Sequence, residues 1–278
     1  METLLPQSPV RYFALINNSF KLYRASFKRV IWLALIMSFI IFIPRLASVF
    51  FMPDLMSTSD VLSVKNLIVL LCNLTSIFFF VVILWRIRCV ITGAHEKLAE
   101  DFSVGVKKLV YVALGAIVQG ILFIGFTFGI LYLQLYLVSS NQSVISEHLI
   151  FASIMLLCEI LLVLYVAMLF YFYIPLIAIE NNNPISALKH SAQLVWNHWS
   201  RVILAQLTPW FIYLFVLMVI RFVMHIDINI YFMQAENESP LISIIDFFLF
   251  ALFIPWIACV LLSQMHDLEI RNKMAHLL

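Results

Sequence analysis

Apolar residues run along this chain in long unbroken blocks, separated by short stretches that carry most of the charge. Six blocks stand out, at residues 30–51, 66–85, 109–138, 149–179, 202–225 and 241–262. A bilayer core of about 30 Å takes roughly 20 mostly apolar residues as a helix, and each block supplies that length. Within the blocks the pattern does not alternate: Ile77-Phe-Phe-Phe-Val-Val-Ile-Leu-Trp85 is apolar at every position. A membrane strand would have to alternate and close into a barrel, whereas a helix pairs its own backbone inside lipid. The pattern therefore predicts an all-α, polytopic transmembrane bundle of six spans. The third and fourth blocks exceed the bilayer requirement and are expected to tilt or to project into the cytoplasm.

Two of the polar stretches have a pattern of their own. Tyr12, Ile16, Phe20, Tyr23 and Phe27 recur at steps of three and four, with Asn17, Lys21, Arg24 and Lys28 opposite them. Ile185, Leu188, Ala192, Val195 and Trp199 repeat that arrangement against Lys189, Gln193 and Ser200. Both read as amphipathic helices lying at the inner membrane surface. The second has a start signal in Asn183-Pro184, a capping residue followed by proline at the first helical position. The two also align directly. Ser19-Phe-Lys-Leu-Tyr-Arg-Ala-Ser-Phe-Lys-Arg-Val-Ile31 shares Ser, Leu and Arg-Val-Ile with Ser191-Ala-Gln-Leu-Val-Trp-Asn-His-Trp-Ser-Arg-Val-Ile203. A weaker counterpart spans residues 95–108. The alignment suggests one integral membrane domain over residues 1–278, built of three parallel units at 11–86, 93–180 and 184–265. The competing account is that basic amphipathic linkers are common to polytopic proteins.

Charge sets the orientation. Of the 17 Lys and Arg, all but Arg45, Lys65 and Arg221 fall on one side of the predicted spans, which by the positive-inside rule puts both termini in the cytoplasm. Trp32, Trp85, Tyr111, Tyr171 and Tyr173 then lie at the cytoplasmic membrane face, where aromatic belts belong. The first block follows a basic, aromatic stretch and has no small-x-small cleavage site, so it is expected to remain as an uncleaved span. With 64% apolar and only 12% charged residues, the chain could not clothe a soluble domain, whose surface needs about 25–35% charge. A formal charge of +2, with no basic tract, argues against a nucleic-acid partner.

Polar residues inside the blocks are the candidates for function, because a charge at the bilayer centre costs roughly 2.5–3.5 kcal/mol on insertion scales. Glu159 is the most deeply placed ionisable group. Asp246 lies about two turns into the sixth span, Arg221 lies near the outer end of the fifth, and their similar depths suggest a pair. Asn73 and Gln119 complete the candidate intramembrane polar cluster. Such a cluster could line a pathway or a lipid-headgroup pocket, or could simply join helices at ~0.6 kcal/mol per hydrogen bond. Pro44, Pro175, Pro209 and Pro255 interrupt helical regularity, and Gly125 with Gly129 forms a close-packing signature.

Catalytic motifs are missing. There is no phosphate-binding glycine loop, no His-Glu-x-x-His and no Gly-x-Ser-x-Gly. The seven histidines form no i,i+4 pair. His225-Ile-Asp227 is too small to be a metal site. Cys72, Cys89, Cys158 and Cys259 are not at metal-ligand spacing and are expected to stay reduced. No catalytic residue, metal or cofactor is assigned from the sequence.

Two stretches resemble a known family. Ile16-Asn-Asn-Ser-Phe-Lys-Leu-Tyr-Arg-Ala-Ser-Phe-Lys-Arg-Val30 looks like the start of the YciC-type bacterial inner-membrane proteins. It is also similar to the membrane domain fused to some glycerophosphodiester phosphodiesterases. Tyr173-Ile-Pro-Leu-Ile-Ala-Ile-Glu-Asn-Asn-Asn-Pro-Ile-Ser-Ala-Leu-Lys-His-Ser191 follows their pattern further. There a span ends in a proline and an apolar run, followed by an acidic residue, a turn and a helix bearing a serine before a tryptophan. Those positions are Pro175, Glu180, Ser191 and Trp196 in this chain. The third span departs from the family, having Gly125 and Gly129 where a Pro-Gly is usual. The resemblance implies a multi-pass protein of a bacterial cell inner membrane and brings no catalytic residue. With these features the expected role is a non-enzymatic membrane module that binds membrane lipids or a protein partner, or forms a homo-oligomer. The alternative is a small-molecule or ion transporter using Glu159 and Asp246 as buried carboxylates.

Overall fold

The fold was obtained as a computed structural model, which describes residues 4–46, 64–94, 97–140, 145–180, 182–223 and 240–275. The described residues form helices: α1 (Tyr12–Leu46), α2 (Val64–Thr92), α3 (Leu98–Ser140), α4 (Ile145–Leu169), α5 (Tyr173–Glu180), α6 (Pro184–Val195), α7 (Trp199–Val223) and α8 (Pro240–Ala275). Six segments are long and apolar enough to cross a membrane: Tyr12–Pro44, Asn66–Thr92, Leu98–Tyr132, Leu156–Glu180, Trp199–Val223 and Ile244–Met274. The all-helical, six-span expectation holds. His225 and Asp227 lie outside the described residues.

The amphipathic stretch before the first span is not a separate helix. α1 runs unbroken for 35 residues, about 52 Å at 1.5 Å per residue, and takes in both stretch and span. The reason is local, since no glycine occurs in it and its first proline is Pro44. From Leu98 onward its weaker counterpart likewise merges into α3, which is 43 residues long. Only the segment before the fifth span is separate, as α6, with Asn183 at its N-cap position and Pro184 beginning the helix.

The chain divides into two compact units, Met1–Leu109 with Leu204–Leu278, and Val110–Ile203. In the first, α8 is the central helix. Over its apolar window 56% of residues are buried, against 11–33% for the other spans, and residues 254–265 are buried on every side. A helix apolar all round belongs at the centre of a bundle. α1 buries a stripe of Leu15, Ser19, Leu22, Ser26, Val30, Ala34 and Met37 as it packs on α8 and α2, while Arg11, Lys21, Arg24, Lys28 and Arg29 are exposed. Small residues let the backbones approach: Ser26 Oγ lies 3.7 Å from Cys259 Sγ, beside fully buried Ala258. The Ser38 hydroxyl donates to the Phe247 carbonyl at 2.8 Å.

Also in the first unit, α2 meets the start of α3 at Gly105, where a Cβ would come within 2.6 Å of Val82 and 2.7 Å of Phe78. Arg86 pairs there with fully buried Asp101 in the first turn of α3, a position where the helix dipole also favours a carboxylate. The close-packing glycines are therefore not those the motif indicated. Among the described residues nothing lies within 4 Å of a Cβ built at Gly125 or Gly129.

In the second unit, the fourth span is not one helix. α4 ends at Leu169 and α5 begins at Tyr173. Pro175 explains the break, since its ring would meet the Tyr171 carbonyl and it has no N–H to offer. Ser191, fully buried on α6, repairs the backbone. Its hydroxyl donates to the Leu169 carbonyl at 2.7 Å and accepts the Phe172 N–H at 3.0 Å. A buried backbone group left unpaired costs about 1–3 kcal/mol, and one side chain here satisfies two of them. Gly115 makes room for the Tyr173 ring, which would lie 3.1 Å from a Cβ there.

Candidate functional site

α7 presents Trp210, Tyr213, Leu214, Leu217 and Arg221 at helical steps of three and four, so they share one face. α8 supplies Asp246 and Phe250, one turn apart, and α1 supplies Ile41 and Phe42. These side chains, Arg221 excepted, line a half-open cavity of about 270 Å³ within the first unit. Four of the lining residues are aromatic and meet edge to face or tilted. Phe250 has its ring centroid 6.2 Å from Phe42, 6.2 Å from Trp210 and 6.1 Å from Tyr213, and the Trp210 and Tyr213 rings are 6.1 Å apart. Such contacts contribute about 0.5–1.5 kcal/mol each beyond buried area and hold the wall in place.

Among the described residues lining the cavity, Asp246 is the one charged group. Arg221 stands beside it, Nη2 to Oδ2 at 3.8 Å, and both side chains are more than nine-tenths buried. At that separation the two attract as an ion pair without closing a short hydrogen bond. A buried pair is costly to desolvate, and removing one partner strands the other charge.

The other sequence candidates lie elsewhere. Asn73 is exposed on α2, in the first unit. Glu159 on α4 and Gln119 on α3 belong to the second unit, and each is half-buried. Among the described residues no three His, Cys, Asp or Glu gather as a metal site. His190 faces Glu180 at 3.6 Å, and His266 faces Glu269 at 3.8 Å. Cys72, Cys89 and Cys259 are buried free thiols, and Cys158 is exposed.

Sequence reasoning missed a second polar layer, at the other end of α8. Gln206 donates to Gln264 at 2.7 Å, both being almost fully buried. Tyr12 shares a hydrogen bond with Thr208. Fully buried Asp267 accepts the Val10 N–H and the Arg271 guanidinium, each at 2.9 Å, while Arg271 donates to the Val10 carbonyl at 2.7 Å. The chain just before α1 is thereby clasped to α8. The Asp267–Arg271 spacing of four was a readable signal. Its closure on Val10, 257 residues away, was not.

Six apolar crossing helices and polar groups drawn inward define a multi-pass helical membrane protein. Compared with protein-family models, curated proteins and solved structures, the chain matches none.

Proposed function

We propose that the protein is a non-enzymatic membrane module that binds lipid, set in a bacterial inner membrane with both termini in the cytoplasm. The cavity carries the reading. It is apolar, aromatic and half-open, and it holds one carboxylate with an arginine beside it, a composition suited to a molecule that is part hydrocarbon and part charge. The location rests on the one-sided basic residues and on the resemblance to YciC-type proteins.

Native mass spectrometry of the protein released from nanodiscs tests it. Lipid retained at a fixed stoichiometry is the expected result, and protein that emerges bare removes the reading. A transporter with buried carboxylates would share Asp246. It requires solute or proton flux in proteoliposomes that falls in Glu159→Gln or Asp246→Asn, and flux of that kind would replace the lipid-binding module.

A further inference from the structure

We propose that the cavity between α1, α7 and α8 takes the ammonium group of a zwitterionic, ethanolamine-type phospholipid headgroup, with Asp246 as its acceptor and the rings of Phe42, Trp210, Tyr213 and Phe250 as its cage. The proposal rests on the lipid-binding reading and names its ligand.

Sign is the first argument. Aromatic faces are negative, and cations are drawn to them within about 6 Å of the ring centroid. Four rings and a carboxylate line the cavity, and among the described residues lining it none is cationic. A phosphate or carboxylate placed against the rings would meet the negative charge of Asp246, and a hydrocarbon chain would make no polar contact with it. An ammonium satisfies both the rings and the carboxylate, and its N–H groups suit Asp246 as donors.

Balance is the second. Arg221 already compensates Asp246 from beside the cavity, so a bare cation would leave uncompensated positive charge in a region of low dielectric. A zwitterion brings its own anion, and its phosphate has Arg221 as counter-charge. The pair then serves as a two-pole receptor, with Asp246 for the amine and Arg221 for the phosphate.

Size and depth agree. A volume of about 270 Å³ falls just below the roughly 300–1,000 Å³ of drug-sized sites, which suits a headgroup better than a whole lipid. Arg221 stands in the last turn of α7. Asp246 is six residues into α8, about 9 Å from its start. The charged end of the cavity therefore lies near helix ends, where headgroups reside, and Trp210 lies deeper.

The test uses the full-length protein in nanodiscs of equal parts phosphatidylethanolamine and phosphatidylglycerol with identical chains, with retained lipid identified by native mass spectrometry. Phosphatidylethanolamine should be retained about tenfold over phosphatidylglycerol, the scale of one charge-assisted hydrogen bond. Asp246→Asn should abolish the preference. Because that variant leaves Arg221 buried beside a neutral partner and could misfold, Trp210→Leu is the second arm. It keeps the ion pair, and should bring the ratio toward one. Equal retention by the wild type overturns the ammonium assignment and leaves lipid binding standing. A preference unchanged in Trp210→Leu places the headgroup elsewhere and overturns the site. Bare protein removes both proposals.

Discussion

Residues 19–31 and 191–203 align with a shared Ser, Leu, Arg, Val and Ile, yet one lies inside a continuous 35-residue helix and the other straddles a break between α6 and α7. Burial follows the alignment closely. Ser19 and Ser191 are fully buried, Leu22 and Leu194 nearly or fully so, and Val30 and Val202 fully. What differs is the work of the serine and the path of the backbone. The Ser19 hydroxyl donates to the Ile16 carbonyl of its own helix at 2.7 Å, whereas Ser191 reaches across to mend the interruption between α4 and α5. Where Arg24-Ala25-Ser26 continues α1, Trp196-Asn197-His198 forms a turn in which the His198 N–H bonds to the Val195 carbonyl at 2.8 Å. At the aligned positions Asn197 stands where α1 has Ala25, a difference in helix propensity of roughly half a kcal/mol in the direction of the break. A common pattern thus specifies which face is buried, and local chemistry specifies what that face does.

The hardest blow to the comparison comes from its shared leucine. Leu22→Ala and Leu194→Ala should each cost about 2 kcal/mol or more, the range for emptying a packed site, as measured by reversible unfolding in mixed micelles. Near-equal losses support a shared packing role, and a loss in only one position breaks it. The serines come next and should part company. Ser191→Ala leaves the Phe172 N–H and the Leu169 carbonyl without their bridge and should cost about 1–3 kcal/mol. Ser19→Ala, which removes only a bond within its own turn, should stay within about 0.5 kcal/mol. Equal effects at the two serines would mean that the repair at the α4–α5 break is unimportant. Smallest of all is the exposed pair. Arg24→Ala should leave unfolding unchanged, while Trp196→Ala should lose the ring contact to Tyr165, 6.2 Å between centroids, at a cost of about 0.5–1 kcal/mol. A larger loss at Arg24 than at Trp196 would contradict this ordering.

Much of the fold was legible because lipid leaves few choices. Long apolar blocks must be helices, and their number and rough limits follow from length and composition. Boundaries were harder. The period of three and four before the first span marks a face and is silent on whether the helix stops, so the sequence predicts two elements where α1 is one. Conversely, the run at 149–179 hides a break, since Pro175 signals an interruption without placing it at residues 170–172. Gly125 and Gly129 have the right spacing and no neighbour among the described residues, whereas Gly105 and Gly115 have no motif and make close approaches.

The site divides in the same way. Chain order and hydropathy gave Arg221 and Asp246 similar depths, because rise per residue is constant in a helix. That depth calculation treats rotation about each helix axis as free, so Asn73, Gln119 and Glu159 all enter the candidate cluster, with Glu159 the deepest. Asn73 proved to be exposed, and Glu159 and Gln119 lie in the other unit. Sequence alone therefore determined that this is an all-helical six-span chain with a few costly polar groups inside it. Tertiary structure decided which of those groups meet, that four aromatic rings stand around Asp246, and that Val10 closes on Asp267. Hydropathy is a property of one residue and its neighbours in the chain. A cavity or a clasp depends on how helices distant in sequence turn their faces toward one another, and the packing of many side chains together settles that.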